Sequence, residues 1–159
     1  MNLIVKVGFV LGLLVSLWTF TMGFTGWYKN PKLVSLFFVV IPIQIGVLVW
    51  GLKKAAKGAR TYLGIVAGGT VMSVIGGIII FLGSLLFTMV VFPNYFEEIR
   101  TTGAEIMRAQ GLSETEIAAS TQKGARFQNS FMQAFFGFLG TVVTGLLSSL
   151  VIAAFVRKK

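Results

Sequence analysis

Residues 62–92 read YLGIVAGGTVMSVIGGIIIFLGSLLFTMVVF, thirty-one positions without a charged side chain. As a helix rising about 1.5 Å per residue, this stretch is roughly 46 Å long, against a bilayer hydrocarbon core of about 30 Å. It must tilt or project. Three further apolar runs, 7–24, 33–52 and 131–155, also approach or exceed the roughly 20 residues that a crossing helix needs. The 159-residue chain is 55% hydrophobic and 12% charged, far from the balance of a globular domain. The reading is an all-α integral membrane protein, one membrane domain over 1–159. It has four transmembrane helices and a polar insertion at about 93–130 between the third and fourth. Lys6 ahead of the first run, with Thr21 and Gly23 along it, would also suit a signal peptide; the run is read as a retained span.

Cysteine and histidine are both absent. That excludes disulfides, a His/Cys zinc site, a thiolate nucleophile and a histidine proton shuttle. No catalytic residue, cofactor or metal is expected, and the chain is not expected to be an enzyme. The net charge of +9 points to anionic lipid headgroups at cytoplasmic loops. Nucleic acid is not expected, because no basic stretch is interleaved with stacking aromatics.

Orientation follows from the basic residues, since short cytoplasmic loops collect Lys and Arg. Lys6, Lys53, Lys54, Lys57, Arg60, Arg157, Lys158 and Lys159 fall on one side. Lys29, Lys32, Arg100, Arg108, Lys123 and Arg126 fall on the other, with all five acidic residues. Both termini are therefore expected in the cytoplasm. Aromatic placement agrees: Trp27, Tyr28, Tyr95 and Phe96 suit the outer interface, Trp50 and Tyr62 the inner one.

In lipid, close backbone approach at small residues carries much of helix association. The first span has Gly8, Gly12 and Ser16 at spacing four, the third Gly69, Ser73 and Gly77, and the fourth Gly137, Thr141, Gly145, Ser149 and Ala153. The second lacks such a stripe. The first, third and fourth helices are thus expected in tight contact, with the second peripheral and packed by Phe37 and Phe38; a homodimer is the other use for a stripe. Polar groups at membrane depth are few. Pro42 and Gln44 in the second span mark a fixed helix-to-helix hydrogen bond or, on a sharper reading, a hinge or permeation contact.

The insertion carries helix punctuation. Asn94 with Glu97, and more cleanly Ser113 with Glu116, fit capping boxes, and Gly111 fits a left-handed C-cap. Two helices meeting near Gln110–Leu112 are implied, an extracytoplasmic helical hairpin whose second helix could run on into the fourth span through Phe127 and Phe131. The first is amphipathic, with Glu97–Arg100 and Glu105–Arg108 as candidate pairs. Tyr95, Phe96, Ile99, Ile106 and Met107 would face a partner, lipid or, most simply, the hairpin's own second helix. The five glutamates lie along helix faces, as a solvated surface does, rather than converging as calcium ligands or a catalytic pair.

The runs FPNYFEE at 92–98 and GLSETEI at 111–117, GLKK at 51–54 and the closing RKK resemble a bacterial domain-of-unknown-function family, number forty-one ninety-nine, over essentially the whole chain. The resemblance implies a small four-helix inner-membrane protein with no assigned activity and no catalytic residues. Function is accordingly expected through contacts, as an accessory subunit of a membrane complex or a homo-oligomer. The alternative is a small conduit or transporter with its pathway at the Gly-rich third helix or between subunits.

Overall fold

The structure is a computed structural model that describes residues 2–57 and 61–156. Arg60, Arg157, Lys158 and Lys159, counted above for orientation, lie outside the described residues. The described chain is all-helical. Helix α1 covers Leu3–Thr25, α2 Val40–Ala56, α3 Tyr62–Leu86, α4 Tyr95–Ala109, α5 Glu114–Ala125 and α6 Ser130–Val156. A 3₁₀ segment, Val34–Val39, leads into α2, and a π turn, Phe87–Val91, extends α3. Four stretches are long and apolar enough to cross a membrane: Leu3–Thr25, Val34–Ala56, Tyr62–Val91 and Ser130–Val156.

Local chemistry accounts for the ends. Thr61 caps α3 by accepting from the Gly64 amide at 3.2 Å, and Asn129 caps α6 by accepting from Met132 at 2.9 Å. That cap is why α5 does not continue into α6. Gly26 closes α1 at φ 69°, a left-handed conformation that glycine adopts without a Cβ penalty. Gly111 closes α4 at φ 84°. There Leu112 N–H reaches Met107 O at 3.1 Å and Gly111 N–H reaches Arg108 O at 2.9 Å, the paired bonds of a Schellman end. Ser113 and Glu116 form the reciprocal capping box of α5. Asn94 does not cap α4 with its side chain: its backbone sits at φ −89°, ψ 4° instead of the extended region from which a cap oxygen reaches the first-turn amides.

Helix α3 is the hub, packing most extensively on α6 and α1, while α2 bridges α1 and α6. Glycines set the register. A Cβ on Gly8 would lie 2.7 Å from Met72 O, and one on Gly12 would lie 2.6 Å from Ile79 Cβ and 2.8 Å from Gly76 O. Position rises along both chains, so α1 and α3 are parallel. On the other face Gly69 abuts Ser149 and Gly145 abuts Ser73, so α3 and α6 are antiparallel. Gly77 packs on Phe138, whereas Gly137 has only ordinary contact, 3.6 Å, with Ile80. Gly83 faces Ser16. The predicted stripes thus meet one another inside a single chain. The second span touches its neighbours less through small residues, although Gly51 seats Val7 directly.

Candidate functional site

One end of the bundle is solid. Val7, Leu11, Leu48, Leu52, Ile65 and Met72 are essentially inaccessible and fill the half next to the α2–α3 loop. At its upper limit Gln44, 4% exposed, donates from Nε2 to Thr141 O at 2.6 Å. Thr141 Oγ1 in turn donates to Gly137 O at 2.8 Å, and Ser73 Oγ to Gly69 O at 3.0 Å. Gln44, Ser73, Thr141 and Gly145 are therefore one polar junction among α2, α3 and α6. Pro42 stands two residues away, just past the junction of the 3₁₀ segment with α2, where its missing N–H leaves a carbonyl of the preceding turn without a helical donor. Ser149 Oγ is buried without a partner beside Gly69.

Beyond Gln44 the helices separate. The 3₁₀ segment buries none of its residues and is tied to α1 by Trp18 Nε1 donating to Leu36 O at 3.0 Å. Phe37 and Phe38 remain 45% and 66% exposed. Between this segment and α6 lies a cavity of about 470 Å³ walled by Val15, Phe37, Phe38, Ile41, Phe136 and Gly140, with Gln44 at its floor. A neighbouring cavity of about 480 Å³ is walled by Met22, Val34, Phe87 and Tyr95. The two share Thr19, Phe37, Phe38, Ile99 and Gln133. Together they form one apolar cleft with a few amide and hydroxyl groups.

Helix α4 roofs this cleft. Phe96 and Ile99 line the first cavity, and Tyr95 and Ile99 the second, while Ile106 and Met107 are half-buried further along. The roof is clasped to the α1–α2 connection. Glu98 accepts from the Tyr28 hydroxyl and pairs with Lys29 Nζ at 2.8 Å, and Thr102 Oγ1 donates to Lys29 O at 3.4 Å. An aromatic cluster backs the clasp: Tyr95 lies 5.1 Å from both Tyr28 and Phe87, and Phe87 lies 4.6 Å from Phe92. The π turn helps assemble it, closing with Phe92 N–H on Phe87 O at 2.8 Å.

Electrostatics follow the contacts. Lys29 first, then the Tyr28 hydroxyl, holds the Glu98 carboxyl below the usual glutamate range. Burial first, then the Glu98 carboxylate, pushes the Tyr28 phenol well up. Burial also raises Tyr95. At the α4–α5 turn Arg108 pairs with Glu114 at 2.6 Å and draws its carboxyl down. The Ser113 amide and hydroxyl do the same to Glu116. The expected within-helix pairs are replaced: Arg108 reaches across the turn to Glu114, and Arg100 donates to Phe96 O at 3.2 Å.

Residues 6–158 match the family described as protein of unknown function, DUF4199. The chain belongs to that family. With four helices able to cross a bilayer, this DUF4199 protein is a multi-pass membrane protein. The match takes in α4 and α5, so the roof and its clasp lie within the DUF4199 extent and are not an appendage to it. No curated protein and no solved structure matches the chain. Sequence reasoning found Gln44 and the glycine stripes of this DUF4199 bundle. It missed the Tyr28–Lys29–Glu98 clasp, which joins residues about 70 positions apart and has no local spacing to betray it.

Proposed function

We propose that this protein is a non-enzymatic, multi-pass protein of the bacterial cytoplasmic membrane that works through contacts, as an accessory subunit of a larger membrane complex. Both termini lie in the cytoplasm, and α4 and α5 form a helical hairpin on the outer face. The observation that carries this reading is α5. It is fully capped by Ser113 and Glu116, yet of its twelve residues only Ile117 is buried. Such a helix adds little apolar burial to the monomer and leaves Ala118, Ala119, Gln122 and Lys123 exposed for a partner.

The small-residue stripes of α1, α3 and α6 are spent within the chain, which favours a different partner over self-association through those faces. Both Gly-rich faces of α3 are occupied, one by α1 and one by α6, which supports a contact role over a conduit along α3. Lys53 and Lys54 end α2 beside Trp50, with Lys54 Nζ 4.5 Å from the indole centroid. That arrangement suits an aromatic-belt position against anionic cytoplasmic headgroups.

The test is purification from the native host in mild detergent with mass spectrometry of accompanying proteins, for the native chain and an Ala118→Glu, Ala119→Lys variant. A partner lost in the variant supports the reading. A monodisperse monomer with nothing bound, or a partner that the variant keeps, would sink it. Orientation is read separately in this cysteine-free chain. Ser120→Cys should react with an impermeant thiol reagent on intact cells, and Lys54→Cys only after lysis.

A further inference from the structure

We propose that the cleft between α2 and α6 is a lipid site, holding one acyl chain of a membrane phospholipid with the methyl end at Gln44 and the polar end beneath α4 at Gln128. The first argument is reach. From Phe37 to Gln44 the wall comprises the end of the 3₁₀ segment and the first turn of α2, roughly 12 Å at about 2.0 and 1.5 Å per residue. That is close to one leaflet, half of a hydrocarbon core about 30 Å thick. The floor is closed by the Gln44–Thr141 hydrogen bond and the packed half beneath it.

The second argument is chemistry along the length. The walls Phe37, Phe38, Ile41 and Phe136 are apolar and exposed at the protein surface, so the cleft opens sideways into lipid. Its other end is polar. Gln128 lines the same cavity, and its Oε1 is buried without a hydrogen-bond partner. An amide oxygen left so in a low-dielectric site is costly until a donor arrives.

The roof decides against a helix from another protein as occupant. Phe96 and Ile99 cover the outer end of the cleft, where a crossing helix would have to pass. An acyl chain enters from the side and ends inside.

Gly140 supplies the test, because a Cβ there meets nothing within 4 Å and the residue lines the cavity. Gly140→Trp fills the cleft without disturbing a helix contact. Gly46→Trp is the control, equally open on α2 but outside the lining. The full chain is reconstituted in vesicles containing a phospholipid with a diazirine at the end of one acyl chain, photolysed and mapped by peptide mass spectrometry. The expected result is labelling centred on the peptides bearing Gln44 and Gly140–Thr144 in the native chain and in Gly46→Trp, lost in Gly140→Trp. Gln128→Leu removes an oxygen that bonds nothing among the described residues, and it should reduce the phospholipid carried into detergent as seen by native mass spectrometry.

Labelling spread evenly over lipid-facing residues, or unchanged in Gly140→Trp, overturns the site. Unchanged retention in Gln128→Leu overturns the polar anchor, and cross-links to a second protein from Phe37 or Phe38 overturn the choice of occupant. The α5 variant above should keep its lipid, which separates this inference from the protein-partner reading.

Discussion

Substituting Gly12 by Ala puts a methyl group where α1 and α3 touch. Its carbon would stand 2.6 Å from Ile79 Cβ and 2.8 Å from Gly76 O, both fixed to the α3 backbone and unable to swing away. Ordinary carbon contact begins near 3.5 Å, so the helices must part by about 0.9 Å, enough to forfeit a quarter to a half of each dispersion contact along the seam. Overpacking of this kind costs about 1–3 kcal/mol, while replacing a mid-helix glycine by alanine returns about 1 kcal/mol. The net expectation is a loss of up to about 2 kcal/mol. Gly46→Ala and Gly140→Ala, where the new methyl meets nothing within 4 Å, should keep the propensity gain of up to ~1 kcal/mol. The same substitution thus changes sign between the α1–α3 seam and these open positions. Thermal unfolding in detergent, checked by a reversible steric-trapping measurement in bicelles, reads it. Equal effects at Gly12 and Gly140, of either sign, would refute the seam. A second arm uses Gly145, whose added methyl overlaps the Ser73 side chain: Gly145→Ala should destabilise, and Ser73→Gly in the same chain should recover part of the loss.

The clasp predicts a pH response. Because Lys29 and Tyr28 hold Glu98 below its ordinary range, its contribution is complete above the unfolded glutamate value and is lost as pH falls through the lower folded one. The protection factors of the α4 amides, with the intrinsic exchange rate at each pH divided out, should therefore fall at about pH 3 relative to neutral, and Glu98→Gln should flatten the difference; equal pH dependence in both chains would count against the clasp. Gln44→Leu removes a donor to Thr141 O, a carbonyl that already serves its own helix, so a loss of about 0.5–1.5 kcal/mol is expected in the same unfolding assay. A loss above about 3 kcal/mol would mean that Gln44 does more than orient α2. Gly111→Ala forces a Cβ into φ 84° at about 1–2 kcal/mol, and Ser113→Ala removes a cap at about 1 kcal/mol. Hydrogen exchange should show both confined to the α4–α5 turn, and a shift in bundle unfolding as large as the local one would contradict α5's thin attachment.

What was legible beforehand divides by the range of the physics. Spans, caps and stripes are local. Ser113 and Glu116 are three residues apart and close a box on each other; Gly8 and Gly12 announce a groove whatever fills it. Some partners, however, are set by the whole bundle. The sequence paired Arg108 with Glu105 one turn earlier, yet the left-handed Gly111 folds Glu114 back to the guanidinium at 2.6 Å. Asn94 has the right side chain for a cap but a backbone angle set by the π turn and Phe92 just before it. Tyr95, Phe96 and Ile99 read most simply as a face turned to the hairpin's own second helix; the structure corrects this, turning them on a cleft lined from α1, α2, α3 and α6 with no residue of α5.

The cleft itself follows from the rule that builds the rest. Helices close up where small residues recur every fourth position on both sides, as along α1–α3 and α3–α6. On α6, Gly137 and Gly140 continue such a surface toward α2. The α2 side answers there with Phe37, Phe38 and Ile41, and with 3₁₀ geometry that turns three residues per cycle and cannot hold a four-residue stripe on one face. Complementarity is therefore one-sided above Gln44 and two-sided below it, where Gly51 takes Val7 and Leu52 reaches Gly69. Void and core are consequences of the same spacing, and the Gln44 hydrogen bond to Thr141 marks the level at which one gives way to the other. The second span's lack of a small-residue stripe, which made it look merely peripheral, is what leaves room for a ligand.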